Sequence, residues 1–375
     1  MKRVLILGGG DGGTIVANVL ARKTSPNEAE ITVLDSQEKH IYQPGFLYLA
    51  FGNEKPEHLI KDERKLLDKR IKFIVDEATK VDTAKNCVYT KSGKILDYDY
   101  LVMATGSRLN TKEVPGFEDA YHFYDLESAI KLRDALQNFN QGKIVIGIGG
   151  LPFKCPIAPN EAACQLDWLL HRRAVRDKVE IRYLSPLPRV FSIESVSPLI
   201  QKAMESKNID ITEMFNIESI DPKTKTVNSL EGESFEYDLL IAVPPHRGAK
   251  IVEESGLGDR GGWIPTDKHT LKVKGHDNIY AVGDCTDIPT SKAGATAHYE
   301  AKVIAGNIAA EVKGKTLKEY DGKVQCFFDA GFKRASIISF NFDNPPKPVP
   351  LNRRYYLMKM LVGKIFWRFM LRGYV

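Results

Sequence analysis

Cys155 and Cys326 carry the most distinctive chemistry in this chain. They lie in Pro152-Phe153-Lys154-Cys155-Pro156-Ile157-Ala158-Pro159 and in Tyr320-Asp321-Gly322-Lys323-Val324-Gln325-Cys326. Two thiols brought together exchange two electrons by making and breaking one S–S bond. That exchange requires a thiolate, an attackable sulfur and access. The alternative for each is a small buried core residue, a common fate of unpaired cysteine. Cys155 falls at the first turn of a helical pattern, where the helix dipole would lower its pKa, and Lys154 adds a neighbouring positive charge. The other three cysteines read as structural. Cys164 sits on the same helix facing the core, Cys285 follows Asp284 where small residues pack, and Cys87 lies in a hairpin-like stretch. Five cysteines with no CxxC and no short cluster argue against a metal site and against a fully paired disulfide framework.

The elements that must position these thiols follow an α/β pattern. Val4-Leu5-Ile6-Leu7 reads as a buried parallel strand, followed by Gly8-Gly9-Gly10-Asp11-Gly12-Gly13 and a helical run over 14–22. Ile31-Thr32-Val33-Leu34-Asp35 is the next strand. Gly8, Gly10 and Gly13 make the G-x-G-x-x-G turn of a dinucleotide site. The glycines allow close approach of a diphosphate, the helix N-terminus supplies N–H groups, and Asp35 is placed to bind a ribose hydroxyl. Leu101-Val102-Met103-Ala104-Thr105-Gly106 and Asn278-Ile279-Tyr280-Ala281-Val282-Gly283-Asp284 are two further buried strands ending in glycine turns. Between them, Lys143-Ile144-Val145-Ile146-Gly147-Ile148-Gly149-Gly150 starts a second βαβ unit. There Pro152 stands where the third glycine belongs, and the next strand ends in Ser185, not in an acid. Proline has no N–H to offer, so this second nucleotide site reads as repurposed.

In this order the three glycine-terminated strands resemble the two-dinucleotide-domain flavoproteins over nearly the whole chain. That resemblance implies FAD held by Gly8, Gly10, Gly13 and Asp35, by Ala104, Thr105 and Gly106 beneath it, and by Gly283 and Asp284 at its ribityl–phosphate part. The segment from Lys154 to Pro159 is similar to the cysteine segment of sulfide:quinone oxidoreductases and to that of the flavoprotein subunit of flavocytochrome c sulfide dehydrogenase. In both families Asn160-Glu161-Ala162-Ala163 would open an amphipathic helix. Tyr320-Asp321-Gly322 with Cys326 matches the second cysteine context. Gln43-Pro44-Gly45 resembles the family loop after the ribose acid, and Ser291-Lys292-Ala293-Gly294 the turn near the flavin pyrimidine, which adds Gln43, Pro44, Lys292 and Gly294 to the expected FAD site. The resemblance implies electron flow from sulfide to the Cys155/Cys326 pair, then to FAD and to a quinone, with sulfane sulfur or polysulfide as product. One departure is plain: Tyr124 and Ser128 stand where most members carry a third cysteine and a histidine. This is then a two-cysteine variant, in which organic thiols or persulfides are rival substrates.

The C-terminal end follows the proline-rich 345–350. From Arg353 to Arg372 aromatic and aliphatic residues interleave with Arg and Lys, and no acid occurs between Arg353 and Val375. This composition suits a helix lying in a bilayer interface, and the alternative is a helix closing the core or a dimer contact. The expected architecture is α/β. A discontinuous FAD-binding domain (1–110 and 265–335) is interrupted by a second Rossmann-like domain carrying the first redox cysteine (111–264), and a membrane-attachment segment follows (336–375). Net charge is +5, and no nucleic-acid reader motif accompanies the basic end, so nucleic acid is not expected as a partner. No run of 18 apolar residues and no leader pattern is present, so a peripheral membrane protein on the cytoplasmic side is expected. A homo-oligomer stays open. The rival activities are sulfide oxidation with a cytochrome or other acceptor, type II NADH:quinone oxidation, and a non-enzymatic flavin redox sensor.

Overall fold

The structure is a computed structural model that describes residues 1–374. Val375, the last residue of the expected membrane-attachment segment, lies outside the described residues. The principal elements begin with β1 (Lys2–Leu7), α1 (Asp11–Lys23), β2 (Ala29–Asp35), α2 (Gly45–Ala50), β3 (Lys72–Val75) and β4 (Tyr100–Met103). Then come α3 (Leu126–Asn138), β5 (Gly142–Ile148), α4 (Ala158–Arg172), β6 (Val179–Leu184), β7 (Ile209–Thr212) and β8 (Leu239–Val243). The chain ends with β9 (Ile279–Ala281), α5 (Gly294–Val312), β10 (Val324–Asp329), β11 (Ala335–Phe340) and α6 (Arg353–Ile365).

Two parallel sheets result. The first has the order β9-β4-β1-β2-β3 and the second β7-β6-β5-β8. Val4, Leu5, Ile6 and Leu7 are all buried, as a parallel strand covered on both faces requires. Helix α1 begins at Asp11, earlier than the expected 14–22, because its glycines let it press on the sheet. A Cβ on Gly13 would lie 1.9 Å from the Gly8 carbonyl oxygen. The long apolar α5 packs beside α1 under the same sheet. The two sheets are stitched together by an antiparallel pair, Ser107–Leu109 with His246–Gly248.

The strands of the first sheet fall within 1–110 and 265–335, and those of the second within 111–264. The expected boundary at 335/336 needs correcting, because it cuts a hairpin. β10 and β11 pair antiparallel from Val324↔Phe340 to Asp329↔Ala335, and α6 packs on both strands. The proline-rich stretch runs back along this hairpin. Ser336 Oγ donates to the Val349 carbonyl and Ser195 Oγ to the Pro346 carbonyl.

Candidate active site

The turn after β1 was tested as a seat for FAD. Gly8 has φ +110°, and a Cβ there would lie 2.3 Å from the Ala104 carbonyl oxygen, so β1 and β4 end in close contact. Gly10 differs: a Cβ there would meet no atom within 4 Å. Its missing side chain therefore serves no protein contact and leaves room above the N-terminus of α1, where no side chain caps the free N–H groups. Asp35 follows at the end of β2, with one carboxylate oxygen accepting from Gly9 N–H at 2.6 Å and the other from Gln37 N–H. On the opposite side, Gly294 opens α5, also without a side-chain cap, so close to α1 that a Cβ would lie 2.5 Å from Asp11 Oδ2. Two uncapped helix N-termini thus lie side by side with Asp284 near Asp11, and Gly283 (φ +77°) and Gly106 (φ +61°) take left-handed backbone conformations. The buried hydroxyls of Thr105 and Thr296 have no protein partner. Uncapped N–H groups, open glycine and unpaired hydroxyls fit the diphosphate and ribityl chain of FAD. Gln43 Oε1 accepts from Lys154 Nζ at 2.9 Å, and Pro44 is the residue before α2. Lys292 Nζ donates to the carbonyls of Asp284 and Thr286, and its ammonium lies 3.9 Å above the Trp263 ring.

A buried cluster holds the two cysteines. Cys155 precedes α4, has φ +54°, and donates its N–H to the Lys292 carbonyl. Cys326 lies in β10, which packs on α4. Both are free, half-buried thiols, and each lies beside Glu161 and Lys359. Glu161 is one turn into α4, where its Oε1 accepts from Asp329 N–H at 2.6 Å and from the Lys359 ammonium of α6. Tyr48 O–H donates to Asp329 Oδ2 at 2.9 Å. Four segments, α2, α4, β10 and α6, therefore meet over the thiols through one ion pair and its neighbours.

Burial works against the expected activation of Cys155. Burial pushes its thiol well above the ordinary range, Glu161 and Cys326 push the same way, and Lys359 opposes them. Burial, with Glu161, raises Cys326 to about 12, again against Lys359. Cys155 stands ahead of the helix instead of on its first turn, and Lys154 turns to Gln43. The cation that favours thiolate is Lys359, from the far end of the chain.

The second glycine turn is packed against the end of β8. A Cβ on Gly149 would sit 2.8 Å from the Val243 carbonyl oxygen, the Leu151–Pro152 bond is cis, and Phe153 is buried. Ser185 uses its hydroxyl within its own turn, donating to the Arg189 carbonyl and accepting from Leu187 N–H. A cavity of about 490 Å³ beside this turn is lined by apolar residues such as Pro152, Phe153, Phe191 and Phe340 and by polar ones that include Asp287 and Lys292.

The remaining residues sort by burial and partners. Cys164 and Cys87 are buried in α4 and in a three-stranded antiparallel sheet, and Cys285 Sγ donates to the Met103 and Val282 carbonyls. His298 lies on α5 edge-on to Tyr299. Ser128 bonds His122 and the Asp125 carboxylate, while Tyr124 is buried near Cys155. Among the described residues no group of three or more His, Cys, Asp or Glu side chains is placed to hold a metal ion. Sequence reading missed the Glu161–Lys359 pair, His246 and His40. Buried His40 bridges Asp11 and Glu63. An acid on the buried face of α4 was the available signal for the first.

The C-terminal segment is partly docked on the core and partly exposed. After α6 it continues as a π-helix over Phe366–Met370. Phe366 (5% exposed) and Leu371 (0%) join the core under the first sheet, and Asn18 Nδ2 donates to the Leu371 carbonyl. Leu357 (57%), Met358, Leu361 (55%) and Phe369 point outward. Lys359 turns inward, contrary to the expectation that the bases face lipid. No helix among the described residues is long and apolar enough to cross a membrane.

Comparisons with known proteins agree with this architecture. The mitochondrial sulfide:quinone oxidoreductase of Mus musculus is 25% identical over 99% of this chain and 86% of its own length. A type II NADH:quinone oxidoreductase of Staphylococcus aureus is 28% identical over 85% of each chain. The X-ray structure of the sulfide:quinone oxidoreductase from Aquifex aeolicus superposes with a TM-score of 0.88 at 25% identity, covering 100% of this chain and 92% of that one. The expected resemblance to sulfide:quinone oxidoreductases is thereby borne out. The family described as pyridine nucleotide-disulphide oxidoreductase matches residues 2–301, and the chain belongs to that family.

Proposed function

We propose that this chain is an FAD-dependent oxidoreductase that oxidises sulfide through Cys155 and Cys326 and passes the electrons to a membrane quinone. What supports the reading is that Cys155 and Cys326, from distant parts of the sequence, both lie near Glu161 and Lys359, in a chain similar to sulfide:quinone oxidoreductases throughout its length. FAD, when bound, supplies a two-electron acceptor between the thiols and the quinone. The protein's own part is sulfur chemistry. In the oxidised pair an entering hydrosulfide forms an S–S bond to one cysteine and releases the other as a thiolate, so that two electrons reside on that sulfur. Lys359 and the Ala158 N–H favour that thiolate at Cys155, against the cost of burial. Glu161 is the acid that acts on both thiols, and Asp329 N–H donates to its carboxylate.

The relatives named NADH:quinone oxidoreductases set the rival reading. The closed second turn at Pro152 and the engaged Ser185 argue against it, since diphosphate needs bare backbone and the ribose an acid. The outward row Leu357, Leu361 and Phe369, with Arg353, Arg354, Lys364 and Arg368 around it, is read as the surface that meets a bilayer and admits quinone. We assign 1–110 with 265–340 to the FAD half, 111–264 to the half carrying Cys155, and 341–375 to attachment. The test is anaerobic mixing of the flavin-loaded protein with sulfide or with NADH. Bleaching of the flavin by sulfide and not by micromolar NADH is expected. Rapid bleaching by NADH alone would establish the rival.

A further inference from the structure

An acid stands at the helix ends that the FAD diphosphate would use. Asp11 is the first residue of α1, whose N-terminus has no side-chain cap. Its Oδ2 is so near the opening of α5 that a Cβ on Gly294 would lie 2.5 Å away. One carboxylate oxygen therefore already lies between two helix N-termini, where an anion is favoured. Burial raises the Asp284 carboxyl, Asp11 adds to the rise, and Lys154 and Lys292 oppose it. A diphosphate brings further negative charge to this place, and like charges in a partly buried site repel.

His40 answers that charge. It lies on the short strand Lys39–Ile41 and is 2% exposed. Its Nε2 is 3.1 Å from Asp11 Oδ1, and its Nδ1 is 2.8 Å from Glu63 Oε2. Glu63 is itself buried, and its other oxygen accepts from the Thr14 hydroxyl at 2.6 Å. Carboxylates at both ring nitrogens accept, so both nitrogens carry hydrogen and the ring is an imidazolium. The remaining ring neighbours are Trp367 at 5.6 Å and Phe366 at 6.1 Å, from the C-terminal segment. Behind them stand Lys61, 4.8 Å from the Trp367 centroid, and Tyr42, whose hydroxyl burial holds far above its usual range. Burial works against the imidazolium, and Asp11 and Glu63 outweigh it, raising the group to about 9.

We propose that His40 is the counter-ion that lets the FAD diphosphate bind at the helix ends it shares with Asp11. The inference rests on the FAD seat described above. With His40 charged, Asp11, His40 and Glu63 together carry one net negative charge; without its proton they carry two. His40 is thus a positioning residue: it touches Asp11 and Glu63, and acts on the cofactor through the charge of that group. Linkage fixes the sign of the pH dependence. An anion that binds the protonated form better holds the proton in place, so FAD affinity is full while His40 is charged and falls as pH rises through its titration.

The test is the FAD dissociation constant of the flavin-loaded full chain between pH 7 and 10, read as free FAD after dilution and ultrafiltration. The wild-type constant should rise about tenfold across this range, the effect of one unit charge near a bound anion in a partly screened site. At pH 7, His40→Gln should bind FAD about tenfold more weakly than wild type, and Asp11→Asn at least as tightly. His40→Gln combined with Asp11→Asn should return to within about threefold of wild type, since it restores the net charge. Both proteins lacking His40 should change by less than about threefold from pH 7 to 10. A wild-type constant that stays level to pH 10 overturns the proposal, as does His40→Gln binding FAD like wild type at pH 7. No recovery in a double variant with wild-type circular dichroism means that His40 merely shapes the turn, and the proposal falls. Should the variants lacking His40 not fold, the wild-type pH course and Asp11→Asn decide, and weaker binding by Asp11→Asn refutes it. A wild type that holds no FAD at any pH would instead fail the FAD seat itself.

Discussion

Lys359→Met should destabilise the protein in a pH-dependent way. The wild-type ammonium reaches Glu161 across 198 positions of sequence, and the two side chains are 17% and 5% exposed, so solvent screens the pair little. Removing one partner of a buried pair leaves the other charge uncompensated, at a cost of roughly 3–5 kcal/mol. Glu161 has an escape, which is to take up a proton. Burial already raises its carboxyl, with Lys359 opposing and Asp329 assisting, and loss of Lys359 raises it further. An acid with a raised folded pKa destabilises the fold as pH climbs from its unfolded value through its folded one. The deficit of the variant should therefore be full, about 3 kcal/mol, at neutral pH, and should close as pH falls below about 4.3, where the unfolded carboxyl is also protonated. Glu161→Gln combined with Lys359→Met removes both charges and should recover most of the loss. The assay is urea unfolding of the four proteins of this cycle at pH 4, 5.5 and 7, followed by far-ultraviolet circular dichroism. Alkylation of Cys155 and Cys326 by iodoacetamide should also slow in Lys359→Met, because the one cation that favours both thiolates is gone. Equal stability of wild type and Lys359→Met at pH 7, with unchanged alkylation, would refute the docking of α6 over the thiols.

His40 is a second buried charge. Burial works against its imidazolium, but Asp11 and Glu63 raise it to about 9. Its contribution, about 3 kcal/mol, should be complete below pH 6.5 and be lost as pH rises through about 9, and His40→Phe should abolish that alkaline decline in a thermal melt. Leu357→Glu with Leu361→Glu changes only exposed positions, so the melting temperature should hold while co-sedimentation with anionic vesicles is lost; undiminished sedimentation would remove α6 as the bilayer contact. Deleting 353–375 is a poorer probe, since it strips Phe366 and Leu371 from the core, each worth about 1.5–3 kcal/mol of burial.

What was legible in the sequence was local. Gly8, Gly10 and Gly13 announce their turn because backbone sterics act over a few residues, and Val4 to Leu7 read as a buried strand from an unbroken apolar run. The reading at Pro152 is local for the same reason: a residue without an N–H spoils a diphosphate turn wherever it stands. The failures involve partners distant in sequence. Nothing near Lys359 marks it as inward, since a lysine among aromatics looks the same whether it reaches toward lipid headgroups or toward a buried acid. A place at the first turn of a helix favours a low pKa at Cys155, and the burial that opposes it comes from elements distant in sequence.

The central claim, that Cys155 and Cys326 relay electrons from sulfide toward FAD, is tested most directly by single-turnover mixing. Flavin-loaded wild type, Cys155→Ser and Cys326→Ser are each mixed anaerobically with sulfide, and flavin absorbance is followed, with dithionite as the reductant that bypasses the thiols. All three should bleach with dithionite, and wild type alone should bleach rapidly with sulfide. Bleaching of either serine variant by sulfide at the wild-type rate would contradict the relay.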